Sequence, residues 1–220
     1  MTTHDSLDAG EFNDWIYAIT SALNGTSSSE VPCGECTACC TSSQFVHIEP
    51  DETATLERIP KKLLFAAPGL PKGNRVMGYD DVGHCPMFKN GRCSIYEHRP
   101  RTCRVYDCRV FPAASVAPDS EKIAIAHQSE RWQFSYGDQL AQEQHAAVQR
   151  AASYLRAHPE VFPNGEAVHN PAQLAVLAIA VHAEFASDPT SNHGDNDVTP
   201  DTIALREAIA SFVESRRDRG

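Results

Sequence analysis

The sequence predicts an α+β fold, mostly helical, with an irregular cysteine-rich core, a few short antiparallel strands and C-terminal helices. Apolar residues recur at helical spacing towards both ends of the chain, the best hairpin signal is an Asn-Gly turn near the middle, and all eight cysteines lie in the segment around that turn. With 220 residues the chain can bury a core without covalent staples. Hydrophobic residues at 41% and charged residues at 22% are ordinary for a soluble globular chain, which excludes a fibrous or wholly disordered protein.

Phe12, Trp15, Ile16, Ile19 and Leu23 form the stripe of an amphipathic helix over roughly 9–24, and residues 1–30 make an N-terminal helical segment. Phe45-Val46-His47-Ile48 reads as a short strand, and Pro50-Asp51-Glu52 opens a helix expected to reach Ile59. Residues 68–83 are rich in turn formers, with a short strand at Arg75–Tyr79. Asn90-Gly91 supplies the two positive φ angles of a type I′ turn, which pairs Phe88 with Cys93.

Ile123, Ile125 and His127, then Trp132, Phe134 and Tyr136, alternate as a pair of strands would. Asp138 caps a helix bearing Leu140, Val148, Ala151 and Leu155, and Asn170-Pro171 opens a helix apolar nearly all round. These elements give five segments: 1–30, a cysteine-cluster domain at 31–112, a strand pair with helices at 113–186, a polar linker at 187–199, and a last helix at 200–220. Leu205, Ala208, Ile209, Phe212 and Val213 share one face of that last helix.

The N-terminus has neither a basic start nor an apolar run, so no secretory signal is expected. The longest apolar run, Leu174 to Val181 and on to Phe185, is interrupted by His182 and Glu184 and falls short of the about 20 residues a bilayer span needs. A net charge of -10 argues against nucleic-acid binding, which relies on excess Lys and Arg. The expectation is therefore a cytoplasmic protein with no membrane and no nucleic-acid partner. Charge is uneven, however, with Lys89, Arg92, Arg99, Arg101, Arg104 and Arg109 set among the cysteines against only Glu97 and Asp107.

The cysteines form two groups, Cys33, Cys36, Cys39 and Cys40, then Cys85, Cys93, Cys103 and Cys108. An even count suits a disulfide framework, but Cys-x-x-Cys spacings in a cytoplasmic chain favour metal chemistry. Thiolates two residues apart in a Gly-containing loop converge at little entropic cost. Cys33-x-x-Cys36-x-x-Cys39 has the spacing of a ferredoxin-type cluster, whose usual remote partner is a Cys-Pro such as Cys85-Pro86. Zinc competes, since two sites of four thiolates would use all eight cysteines.

The cysteine-rich core is thus expected to be metal-stabilised, with an iron-sulfur cluster or zinc as cofactor. Neighbouring Cys39 and Cys40 either serve different metals or occupy a turn that lets both reach one. A continuous hairpin would turn Cys85 and Cys93 to opposite faces, unless Pro86 breaks the ladder. His84 and His98 are alternative ligands, with solvent-exposed histidine as the default. Nearby arginines would offset the negative charge of a thiolate-held metal.

Cys33-Gly-Glu-Cys-Thr-Ala-Cys-Cys40, Val46-His-Ile-Glu-Pro-Asp-Glu52 and the run from Cys85-Pro86 through Ile95-Tyr96, Arg99-Pro100 and Cys103-Arg104 to Cys108 resemble the bacterial CxxCxxCC, or YkgJ-like, family. That family is described as zinc- or iron-chelating. The resemblance implies that the cysteines are the metal ligands and that Tyr96, Arg99, Pro100 and Arg104 surround them. A similar cluster occurs in flagellin lysine N-methylases, which keeps a metal-dependent modifying enzyme among the readings.

No nucleotide cradle, zinc-protease or serine-hydrolase motif is present. The leading expectation is a metal-binding protein with a redox or carrier role. A modifying enzyme, and a metal-stapled scaffold that binds a protein partner, are the alternatives.

Overall fold

The computed structural model describes residues 6–24, 26, 31, 34–162, 165, 168–187 and 199–217. It is mostly helical with short strands, and the chain divides into two compact units. The first unit comprises Met1–Ser28, Cys108–Asp119 and Ser129–Arg219; the second comprises Ser29–Asp107 and Ser120–Gln128. Among the described residues, no helix is long and apolar enough to cross a membrane.

The first unit begins with strand β1 (Leu7–Glu11) and helix α1 (Phe12–Leu23). The helix starts at Phe12 rather than near residue 9 because Gly10 has φ 91° and the Glu11 carboxylate accepts the Asp14 N–H as the cap. Its other carboxylate oxygen accepts Gly137 N–H at 2.8 Å. The expected stripe is buried at Phe12, Trp15 and Ile16.

The second unit, as the chain runs on, contains β2 (Val46–Ile48), α2 (Thr53–Leu56), β3 (Leu64–Ala66) and β4 (Arg75–Met77). These strands form an antiparallel sheet in the order β2-β4-β3. Hairpin β5 (Phe88–Lys89) and β6 (Arg92–Cys93) has the expected register, with Phe88 opposite Cys93, and both turn residues take positive φ, 53° at Asn90 and 76° at Gly91. Short helix α3 (Arg101–Val105) follows. The expected helix from Pro50 to Ile59 shrinks to α2, which starts at Thr53 because Glu52 is out of the helical conformation (ψ 51°).

Helix α4 (Val110–Ala114) belongs to the first unit, and α5 (Ile123–Glu130) crosses the boundary between them. The alternation at Ile123, Ile125 and His127 is therefore helical, not a strand. Ile125 and Ser129, one helical turn apart, are the buried positions, while Ile123 stands exposed. Strand β7 (Trp132–Ser135) does form, but pairs in parallel with β1 from Leu7↔Trp132 to Glu11↔Ser135.

Helices α6 (Gln139–Ala157), α7 (Pro171–Val181) and α8 (Thr202–Arg217) complete the first unit. Asp138 and Asn170 cap α6 and α7 as expected, accepting Ala141 N–H at 2.8 Å and Gln173 N–H at 3.0 Å. Alanines 141, 147, 151 and 152 on the buried face of α6 permit close approach of α7, itself buried at Leu174, Leu177, Ile179 and Val181. Leu205 and Ile209 are the buried members of the α8 stripe. Most of the 187–199 linker lies outside the described residues.

The imidazole of His145 lies 4.4 Å from the Phe12 ring in a stack. Its Nε2 lies 3.1 Å from the Gln149 side-chain amide nitrogen and 3.4 Å from the Pro112 carbonyl, and its Nδ1 lies 2.6 Å from the Tyr136 hydroxyl. Burial lowers the pKa of this histidine below its ordinary 6.5. The unfolded chain therefore takes up a proton that the folded chain refuses, so this contribution to stability is lost as pH falls through 6.5 and is fully present above it. Thermal midpoints measured from about pH 7.5 to about pH 5.5 should fall more for the native chain than for His145→Gln; equal falls would remove His145 from this account.

Candidate functional site

The second unit gathers cysteines around one cavity. Its apolar cluster of Val46, Ile48, Ile59, Met77, Met87 and Ile95 has Cys85, Cys93 and Cys103 packed against it. Cys36, Cys39 and Cys40 join these three as lining residues of a cavity of about 620 Å³, together with Phe45, Tyr96 and Arg99. The seven described cysteines are all thiols. Cys33 lies outside the described residues, so its expected role is not placed.

Each thiol is delivered by a local device. Cys39 and Cys40 sit on a 3-10 turn, Ala38–Thr41, closed by Cys40 N–H donating to Thr37 O at 2.9 Å. On that turn both neighbours reach the same cavity. Cys85 opens a tight turn in which Phe88 N–H donates to Cys85 O at 2.8 Å, with Pro86 at the position that suits its fixed φ. The ladder stops there, so Cys85 and Cys93 line one cavity instead of pointing to opposite faces.

Two backbone hydrogen bonds dock the first cysteine loop on the second: Ser43 N–H donates to Gly83 O and Cys85 N–H donates to Cys40 O, each at 2.8 Å. Asp80 shapes the partner segment by accepting His84 N–H at 2.8 Å and Val82 N–H at 3.1 Å. The Lys122 ammonium donates to Ser43 O at 2.8 Å.

Cys103 is carried by α3, whose start is bolted to the Val46–Glu52 segment. Buried Glu52 accepts Arg101 N–H with one oxygen and Glu49 N–H with the other. Thr102 donates to His47 O at 2.9 Å, and the Arg101 guanidinium pairs with Glu49 and Asp51. The Arg101 guanidinium accordingly holds the Asp51 carboxyl below its usual pKa. Sequence reasoning missed this role of Glu52; the signal available was the acid spacing in Glu49-Pro-Asp-Glu52.

The thiols feel one another. Burial, then the neighbouring Cys85, Cys40 and Cys93, push the Cys103 thiol up to about 12, against the pull of Arg99. Burial likewise raises Cys85, opposed by the backbone N–H groups of Met87 and Phe88. Arg99 is buried, with its guanidinium 4.0 Å from the Tyr96 ring centre and donating to Tyr96 O. Tyr96, Arg99 and Pro100 line the cavity; Arg104 contributes its carbonyl, which accepts Val31 N–H at 2.8 Å. His84 and His98 are not among the lining residues.

Cys108 belongs to the first unit, where its sulfur accepts the Trp132 indole N–H at 3.2 Å. The adjacent Arg109 guanidinium lies 6.0 Å from the Trp15 ring centre and 5.9 Å from that of Trp132.

The donor set suits a thiophilic metal: clustered sulfurs, backbone N–H groups directed at one of them and the Arg99 guanidinium to offset negative charge. Yet among the described residues no three Cys, His, Asp or Glu side chains converge on a point as the ligands of one ion do. Six of the described thiols surround a shared space.

Gly83 controls how the loops dock. Its φ is 83°, and a Cβ there would overlap the Ser43 Oγ. Gly83→Ala should cost about 1–3 kcal/mol in urea unfolding. Adding Ser43→Ala should recover part of that loss, and a neutral Gly83→Ala would contradict the docking geometry.

Residues 32–133 match the model of the CxxCxxCC family, whose description is "Putative zinc- or iron-chelating domain". No curated protein and no solved structure matches the chain.

Proposed function

Because residues 32–133 carry a CxxCxxCC domain of metal-chelating description, we propose that this is a cytoplasmic iron-sulfur protein whose cluster is held by Cys40, Cys85, Cys93 and Cys103. One observation carries the choice of a cluster over a lone ion: six of the described thiols line a shared cavity of about 620 Å³, and among the described residues no three ligand side chains converge on a point. Tetrahedral zinc, with bonds of about 2.3 Å, draws its four sulfurs to within about 4 Å of one another. In a polynuclear cluster the thiolates bind different irons and stand further apart, around a volume.

Those four cysteines are chosen because Cys85, Cys93 and Cys103 pack on one apolar cluster beside the cavity they line, and Cys40, which lines it too, is held to Cys85 by a backbone hydrogen bond of 2.8 Å. Cys36 and Cys39 line the same cavity and supply reserve thiols, as a carrier that passes on its metal would need. So many reduced thiols belong in a reducing compartment.

When bound, such a group supplies one-electron redox chemistry or transferable iron and sulfide. The chain's own residues shape that capacity. Met77, Met87, Ile95 and Val46 keep water from the cavity wall, and Arg99, braced by Tyr96, balances thiolate charge.

Protein purified without oxygen should contain iron and acid-labile sulfide and absorb visible light. Cys103→Ser should lose most of both, on the order of tenfold or more. Cys108→Ser should retain them, since that sulfur is engaged by Trp132 in the other unit. Zinc without sulfide in the native chain would replace the cluster by a zinc site, and equal losses in both variants would overturn the ligand assignment.

A further inference from the structure

The outer side of the hairpin holds more positive than negative charge. Its register sets Lys89 directly opposite Arg92 across the turn. Side chains opposed in this way share a face, and like charges there are destabilising. Arg58 and His98 line the same groove, of about 720 Å³, with Glu97 as its acid. Among the described residues, Arg58, Lys89 and Arg92 enter no ion pair. Such an accumulation stands out in a chain whose net charge is -10.

We infer that this groove is a binding site for a small molecule bearing an oxyanion, phosphate or carboxylate. Arg92 and Arg58 offer planar guanidinium groups that suit two-point contact with such a group, and Lys89 adds a compact charge. Arg58 is steadied by donating to Ala54 O at 2.9 Å. The volume lies in the range of small-molecule sites, about 300–1,000 Å³. A bound anion relieves the Lys89–Arg92 repulsion.

The groove and the thiol cavity share Asn90, Arg92, Cys93, Ile95 and Tyr96. A ligand on the hairpin therefore lies against the other side of the wall that carries Cys93. The site follows from charge and register alone, and it stands whichever metal the thiols hold.

Calorimetric titration tests it, using the full chain with its native metal, sodium phosphate and sodium succinate as probes, and chloride buffer of fixed ionic strength. Saturable binding of either probe is expected, accompanied by a higher thermal midpoint. Arg58→Gln/Lys89→Gln, a pair outside the lining of the thiol cavity, should weaken that binding about tenfold or more while leaving metal content unchanged. Without probe, the same variant should unfold at a temperature no lower than the native chain, because no charge then opposes Arg92 across the turn.

Heats that never saturate, or an affinity untouched by the double substitution, would overturn the proposal. A glutamate decapeptide that binds more tightly than both probes through the same two residues would also overturn it, in favour of an acidic protein partner.

Discussion

Ser43 and Cys85 each donate one backbone hydrogen bond across the gap between the two cysteine segments, to Gly83 and Cys40. Those two bonds hold the loop of Cys40 against that of Cys85, so thiols distant in sequence line one cavity. Backbone hydrogen bonds suit this task better than side-chain contacts would, since they fix loop position to within a fraction of an ångström whatever the thiols carry. Positive φ at Ser43 and Gly83 is part of the same constraint. The chain accepts strained backbone at Ser43 to bring Cys40 beside Cys85.

Packing and electrostatics then act on the assembled site in opposite directions. Apolar Val46, Met77, Met87 and Ile95 give the thiols a dry wall, which raises the cost of ionising Cys103 and Cys85. Arg99 and the amides of Met87 and Phe88 work against that cost. Glu52 serves a different purpose: its buried carboxylate satisfies the amides of Glu49 and Arg101 and so fixes the start of the helix that carries Cys103. Site and scaffold meet in α3, one turn long and held from both ends of the Val46–Glu52 segment.

Local chemistry was legible in the sequence wherever a residue acts on its own neighbours. Asn90-Gly91 set the hairpin and its register, and Asp138 and Asn170 marked the helix starts. Cysteine grouping pointed to the cavity, although the pairing of faces across the hairpin did not follow, because Cys85 and Pro86 begin a turn and leave the ladder. Two other features depended on distant partners. Ile123–His127 alternates over too few residues to separate strand from helix, and β1 exists through its pairing with β7, far along the chain. Glu52 likewise reaches a residue outside its own segment, and the separate setting of Cys108 beside Trp132 carries no mark in the spacing of the cysteines.

X-ray absorption at the metal edge of the full chain, purified without oxygen, reaches the central claim most directly, since it reads the ligand atoms and the neighbours of the metal together. Thiols arranged around a volume predict iron with a sulfur-only first shell and a second iron at short range. Nitrogen or oxygen in that shell, or a metal with no metal neighbour, would contradict a polynuclear site in this cavity.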